Sequence, residues 1–67
     1  MSVAKVSEIS ATSTKSFEDA IQLGIARAAK TLRNVRGAWI KEQHVRCSDG
    51  QITEYQVNMM VTLVLDD

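Results

Sequence analysis

No proline interrupts this chain of 67 residues, and it holds one cysteine, one histidine, three glycines and one each of tryptophan, tyrosine and phenylalanine. Each shortage excludes something. A single cysteine, Cys47, forbids an intrachain disulfide. His44 and Cys47 are spaced H-x-x-C, but two ligands fall short of a closed four-ligand zinc site. A domain of about 60 residues buries only about 60% of the surface its unfolded chain exposes, so it needs a supplement to its core. With disulfide and structural zinc set aside, other subunits remain. Eight basic and eight acidic residues cancel, giving none of the basic surplus of a general nucleic-acid binder. No apolar run approaches the ~20 residues of a membrane span. The opening MSVAKVSEIS lacks the apolar core of a secretory signal, and the expected location is cytoplasmic.

What is present divides into four segments of one domain, residues 1–67. Val3 to Ser10 interleaves Val3, Ala4, Val6 and Ile9 with Lys5, Ser7 and Glu8 and reads as a strand. Ala11 to Lys15, rich in hydroxyls, reads as a loop. Ser16 is then an N-cap, with Asp19 placed to answer the free amides and the positive end of the helix dipole. Phe17, Ile21, Ile25, Ala28 and Leu32 follow at spacings of four and three, with Ala20 and Gly24 on the same side. That is one apolar helical stripe, ending near Asn34. Gly24 in mid-helix costs about 1 kcal/mol relative to alanine, which points to close backbone approach to the sheet.

From Val35 the period becomes two. Val35 to Ser48 and Ile52 to Leu65 are strands, joined through Asp49-Gly50, the strongest short-range hairpin signal. Along the second arm Tyr55, Val57, Met59, Val61, Leu63 and Leu65 share an apolar face that must pack on the helix. Glu54, Gln56, Asn58, Met60, Thr62 and Val64 occupy the other, a mixed face suited to a wet interface or a ligand. The fold class is α+β, a β-α-β-β order with a three-stranded antiparallel sheet on one helix. Hairpin arms of this length run over ~40 Å, against ~26 Å for a seventeen-residue helix, so the hairpin overhangs and invites pairing with further copies.

Little here supports catalysis: no glycine-rich phosphate loop, metal-ligand cluster or nucleophile motif is present, and the chain reads as no enzyme. Glu18-Asp19 reads as a capping pair and Asp66-Asp67 as a solvated tail. For His44 and Cys47 a plain strand role outweighs a ligand or reactive one. Trp39, by strict alternation on the face of Gly37, Lys41 and Gln43, reads first as core or interface. With Gln56 on the mixed face, it could also line a surface for a flat heteroaromatic ligand, stacking from the indole and edge hydrogen bonds from the amide.

These pieces resemble the dodecins. The resemblance is carried by Thr12-Ser13-Thr14-Lys15-Ser16-Phe17-Glu18-Asp19-Ala20, by Ala26-Arg27-Ala28-Ala29-Lys30-Thr31-Leu32-Arg33-Asn34, and by Thr53-Glu54-Tyr55-Gln56-Val57. It implies a β-α-β-β subunit of a hollow homo-dodecamer that binds flavin (riboflavin or FMN) in stacked pairs and stores or sequesters it. In flavin-binding members a tryptophan just after the helix and its symmetry mate sandwich the ring, and a glutamine on the last strand bonds its edge. Gln56 falls on that glutamine. Gly37 stands where the tryptophan is expected, with Trp39 two residues on as a displaced platform, and His44-Val45 stands where bacterial members tend to carry Arg-Gly. The resemblance implies Gln56, Trp39, Gly37, His44 and Arg46 as the cofactor-binding set, with no catalytic residue and no assigned metal ligand. It also leaves a second reading, a branch without flavin that binds calcium, takes an anionic cofactor on Arg36, Lys41 and Arg46, or serves as a scaffold.

Overall fold

A computed structural model of the chain describes residues 2–65; the Asp66-Asp67 pair expected to be a solvated tail lies outside them. Strand β1 (Val3–Ser13), helix α1 (Phe17–Thr31), strand β2 (Val35–Ser48) and strand β3 (Gln51–Leu65) follow in order. The sheet runs β1-β3-β2 with both pairings antiparallel, so β3 is central and the helix lies on one face.

The helix begins as its sequence dictates. The Ser16 hydroxyl accepts from the Asp19 backbone N–H at 3.0 Å, and the Asp19 carboxylate accepts from the Ser13 hydroxyl at 2.6 Å. Residues 11–13, expected in a loop, instead continue β1, with Thr12 opposite Gln56 and Ser13 opposite Tyr55. Pairing with the central strand overrides the weak strand preference of this small, hydroxyl-rich run. At the other end the helix closes at Leu32, whose N–H donates to the Ala28 carbonyl at 2.8 Å. Asn34 then adopts φ 57°. Its carbonyl accepts from the Val64 N–H at 3.1 Å and its Nδ2 donates to the Val64 carbonyl at 3.2 Å, which anchors the start of the hairpin to β3.

The core forms where small helix residues meet large strand residues. Ala20, Gly24 and Ala28 are the buried residues of α1, and they face Val57, Met59 and Val61, all fully buried. Phe17, Ile21 and Ile25 flank that contact, with the Phe17 ring edge-on to Tyr55 at 5.1 Å. The close approach expected at Gly24 is present: a Cβ there would overlap the Met59 Cε and lie 3.0 Å from the Ala11 Cβ.

Asp49 and Gly50 both take positive φ, 52° and 75°, the twist that a two-residue type I′ hairpin requires. The molecule extends 52 Å along its long axis, while a fifteen-residue helix spans about 22 Å. The hairpin therefore projects well past its helix, and every β2 residue from Arg36 to Ser48 is exposed in the single chain. Among the described residues no helix is long and apolar enough to cross a membrane.

Candidate ligand-binding face

The sheet face opposite the helix carries Gln56, Trp39, His44 and Arg46, with Gly37 on it too. Its centre is the even-numbered half of β3, and the register fixes what flanks it. On β2, His44 lies opposite Gln56, Glu42 opposite Asn58, Trp39 opposite Met60 and Gly37 opposite Thr62. On β1, Thr12, Ser10, Glu8 and Val6 lie opposite Gln56, Asn58, Met60 and Thr62. Arg46, opposite Glu54, completes the set at the turn end.

Strict alternation does not survive along β2. Register shifts fall between Val35 and Gly37, Ile40 and Glu42, and Arg46 and Cys47. The second inserts one residue, Lys41, and so moves Gln43 opposite Val57, to the helix side. Trp39 therefore shares its face with Gly37, Glu42, His44 and Arg46, and the expected neighbour Gln43 is not among them. Lys41 reaches across this same face to Glu8, its Nζ 3.3 Å from the carboxylate.

A hydrogen-bonded row crosses all three strands. Gln56 Nε2 donates to the Ser10 hydroxyl at 2.9 Å and to Asn58 Oδ1 at 3.4 Å. Asn58 Nδ2 donates to Glu42 Oε1 at 2.9 Å, and the other Glu42 oxygen lies 3.6 Å from His44 Nε2. The Asn58 bond holds the Glu42 carboxyl below its usual range, against a smaller opposing effect of desolvation, with His44 and Lys41 adding to the depression. Ser10, Glu42 and the linking role of Asn58 escape sequence reasoning, because they become neighbours only once the register of three strands is known. No signal in a single sequence reports that.

Two of the three cations expected to hold an anion, Lys41 and Arg46, already have acidic partners. Lys41 pairs with Glu8 and Arg46 Nε lies 3.2 Å from Glu54, which speaks against a strong anion site built on them. Cys47 is a free, exposed thiol, and among the described residues no three His, Cys, Asp or Glu side chains gather as a metal cluster.

Trp39 is 52% exposed, and the space a side chain at Gly37 would enter is open. Trp39 pairs with Met60, four residues along β3 from Gln56, a separation of about 13 Å at ~3.3 Å per residue. The indole and the amide thus mark two ends of one patch. The patch is also unwalled in one chain. Two hollows lie beside the helix, one of about 550 Å³ at its N-terminus near Lys15 and Asp19, another of about 340 Å³ between Ile9 and Leu32. Neither includes Trp39 or Gln56.

Comparison with known proteins agrees with this architecture over nearly the whole chain. The sequence model of the dodecin family matches residues 3–66. A dodecin of Thermus thermophilus is 37% identical over 65 residues, covering 97% of this chain and 94% of the relative. Among solved structures, dodecin from Streptomyces davaonensis superposes with a TM-score of 0.90 at 36% identity, covering 98% of this chain and 97% of that one. A Thermus thermophilus structure reaches a TM-score of 0.92 at 36% identity, covering 100% and 98%. Dodecin from Streptomyces coelicolor, at 24% identity, keeps the fold with a TM-score of 0.90 over 98% of this chain and 94% of that one. On sequence and fold together, this chain belongs to the dodecin family.

Proposed function

We propose that this protein is a non-enzymatic flavin-binding subunit whose copies assemble around a cavity, as a dodecamer, and store or sequester riboflavin or FMN on their uncovered sheet faces. The observation that carries the reading is the placement of an exposed indole, Trp39, and a half-buried amide, Gln56, on that one face. An indole offers an apolar π-face to a flat ring, and an amide can hydrogen-bond the ring's edge. These residues fit a flavin, with less stacking surface than a tryptophan at position 37 would add.

Because the indole and the amide stand about 13 Å apart along the strand direction, a ring stacked on one finds its edge partner on a neighbouring subunit. Position 37, opposite Thr62, is farther still, about 20 Å from Gln56. Either platform therefore needs the assembly. Bound flavin would supply its own photochemistry, and stacking on the indole would quench its emission. The protein residues bind, orient and shield it.

Sedimentation followed in the visible absorption band of the flavin tests the reading in one run. Riboflavin should travel with a particle many times the mass of the single chain and should leave it in Gln56→Ala. Protein sedimenting as a single chain, or riboflavin that stays behind intact oligomer, would overturn the proposal.

The bare surface at Gly37 favours a second reading, an assembly that has given up tight flavin binding. Retention of the oligomer with no flavin affinity in that run is its signature.

A further inference from the structure

One member of the row Ser10–Gln56–Asn58–Glu42 has a fixed hydrogen-bonding polarity. Serine and primary amides can each donate or accept, whereas an ionised carboxylate only accepts. Glu42 Oε1 lies 2.9 Å from Asn58 Nδ2, so the Asn58 amide must turn its nitrogen toward Glu42. Its oxygen then faces Gln56, and Gln56 Nε2 donates to it at 3.4 Å while also donating to Ser10 at 2.9 Å. Both polar hydrogens of Gln56 are thereby committed to the sheet. What remains outward is the amide oxygen, an acceptor.

We infer that Glu42, acting through Asn58, is a positioning residue that sets the Gln56 amide oxygen outward and so selects ligands whose edge presents an N–H donor. The class recognised is a flat heteroaromatic with an imide, an N–H between two carbonyls, along one edge. This half of the inference rests on the flavin reading above; the orientation of Gln56 does not.

Protonation of Glu42 should reverse the row. A neutral carboxyl can donate to Asn58 Oδ1, Asn58 Nδ2 can then donate to Gln56 Oε1, and the Gln56 NH₂ turns outward. The titratable and charged groups around Glu42 are His44 and Lys41 on its own strand, Glu8 on β1 beyond Lys41, and the Arg46–Glu54 pair toward the turn. The helix packs on the opposite face and contributes none. His44 and Lys41 favour the ionised carboxylate, so the acceptor-out arrangement prevails at neutral pH.

The test follows the Gln56 side-chain NH₂ resonances of the isotope-labelled full-length protein through a pH titration, first without ligand. In wild type they should shift with the same midpoint as the Glu42 carboxyl. In Asn58→Leu the Gln56 response should vanish while Glu42 still titrates, and in Glu42→Gln both should be flat. A Gln56 response that persists in Asn58→Leu, or none in wild type, overturns the inference; a purely structural role for Asn58 would not decouple the two. The second arm compares riboflavin with its imide-N-methyl analogue on protein verified as assembled. Wild type should prefer riboflavin about five- to tenfold, the size of one net hydrogen bond, and Glu42→Gln should bind the two about equally. Equal binding to wild type removes the selectivity half. Binding of neither ligand removes the flavin reading, while the resonance titration still decides the orientation.

Discussion

The two faces of β3 are built from the same strand by different rules. Toward the helix, Val57, Met59 and Val61 are completely buried and are specified by volume. Toward the open side, Gln56, Asn58, Met60 and Thr62 are half-exposed, and Gln56 and Asn58 are tied into a hydrogen-bonded row. One residue of offset along the strand separates a position that holds the subunit together from a position available to a ligand. Stability and recognition can therefore be altered nearly independently.

The sharpest way to break that contrast is at Met59. Met59→Ala should cost about 2–5 kcal/mol through lost burial and a residual cavity, read as a lowered urea midpoint at fixed protein concentration. Its open-face neighbour Met60→Ala should cost clearly less, since Met60 keeps part of its surface in solvent. Equal losses would deny the division of labour.

A smaller effect should come from Gly24→Ala. The substitution gains about 1 kcal/mol of helix propensity, but the new methyl overlaps Met59 Cε and crowds Ala11. Overpacking of a filled core costs about 1–3 kcal/mol. The net expectation is a loss of about 1 kcal/mol, and a stabilised variant would show the contact to be loose.

On the open face, a Cβ at position 37 would meet no atom within 4 Å, and Gly37→Trp should leave the unfolding midpoint in place. It should raise riboflavin affinity about two- to tenfold, the ~0.5–1.5 kcal/mol of an added aromatic pair. Fluorescence titration measures this directly, and no change would deny that the face stacks a ring.

The smallest effect concerns pH. The Glu42 pKa is lowered in the folded chain, chiefly by Asn58. The stability it contributes is therefore present above the unfolded carboxyl's pKa and lost as pH falls through the lower folded value. Glu42→Gln should flatten that segment of the urea midpoint against pH. Because the group is exposed, the change should be slight.

How much of this could be read in advance differs by region. The helix cap at Ser16, the Asp49-Gly50 turn and the two faces of β3 are local patterns, and each stands where the sequence places it. The extension of β1 through Ser13 is not local: a hydroxyl-rich run became strand because β3 offered it partners. The bulge at Lys41 is likewise invisible to alternation, and it moved Gln43 off the open face while bringing Glu42 onto it. Candidate residues at Gln56, Trp39, Gly37, His44 and Arg46 could be named one by one. Their connection through Ser10, Asn58 and Glu42 required the register of all three strands.

The measurement that bears most directly on the open face as a flavin site is riboflavin emission titrated with wild-type protein and with Trp39→Ala. The account predicts saturable quenching by wild type and weaker binding by the variant, with both proteins assembled alike. Riboflavin emission unchanged at high micromolar wild-type protein would contradict it.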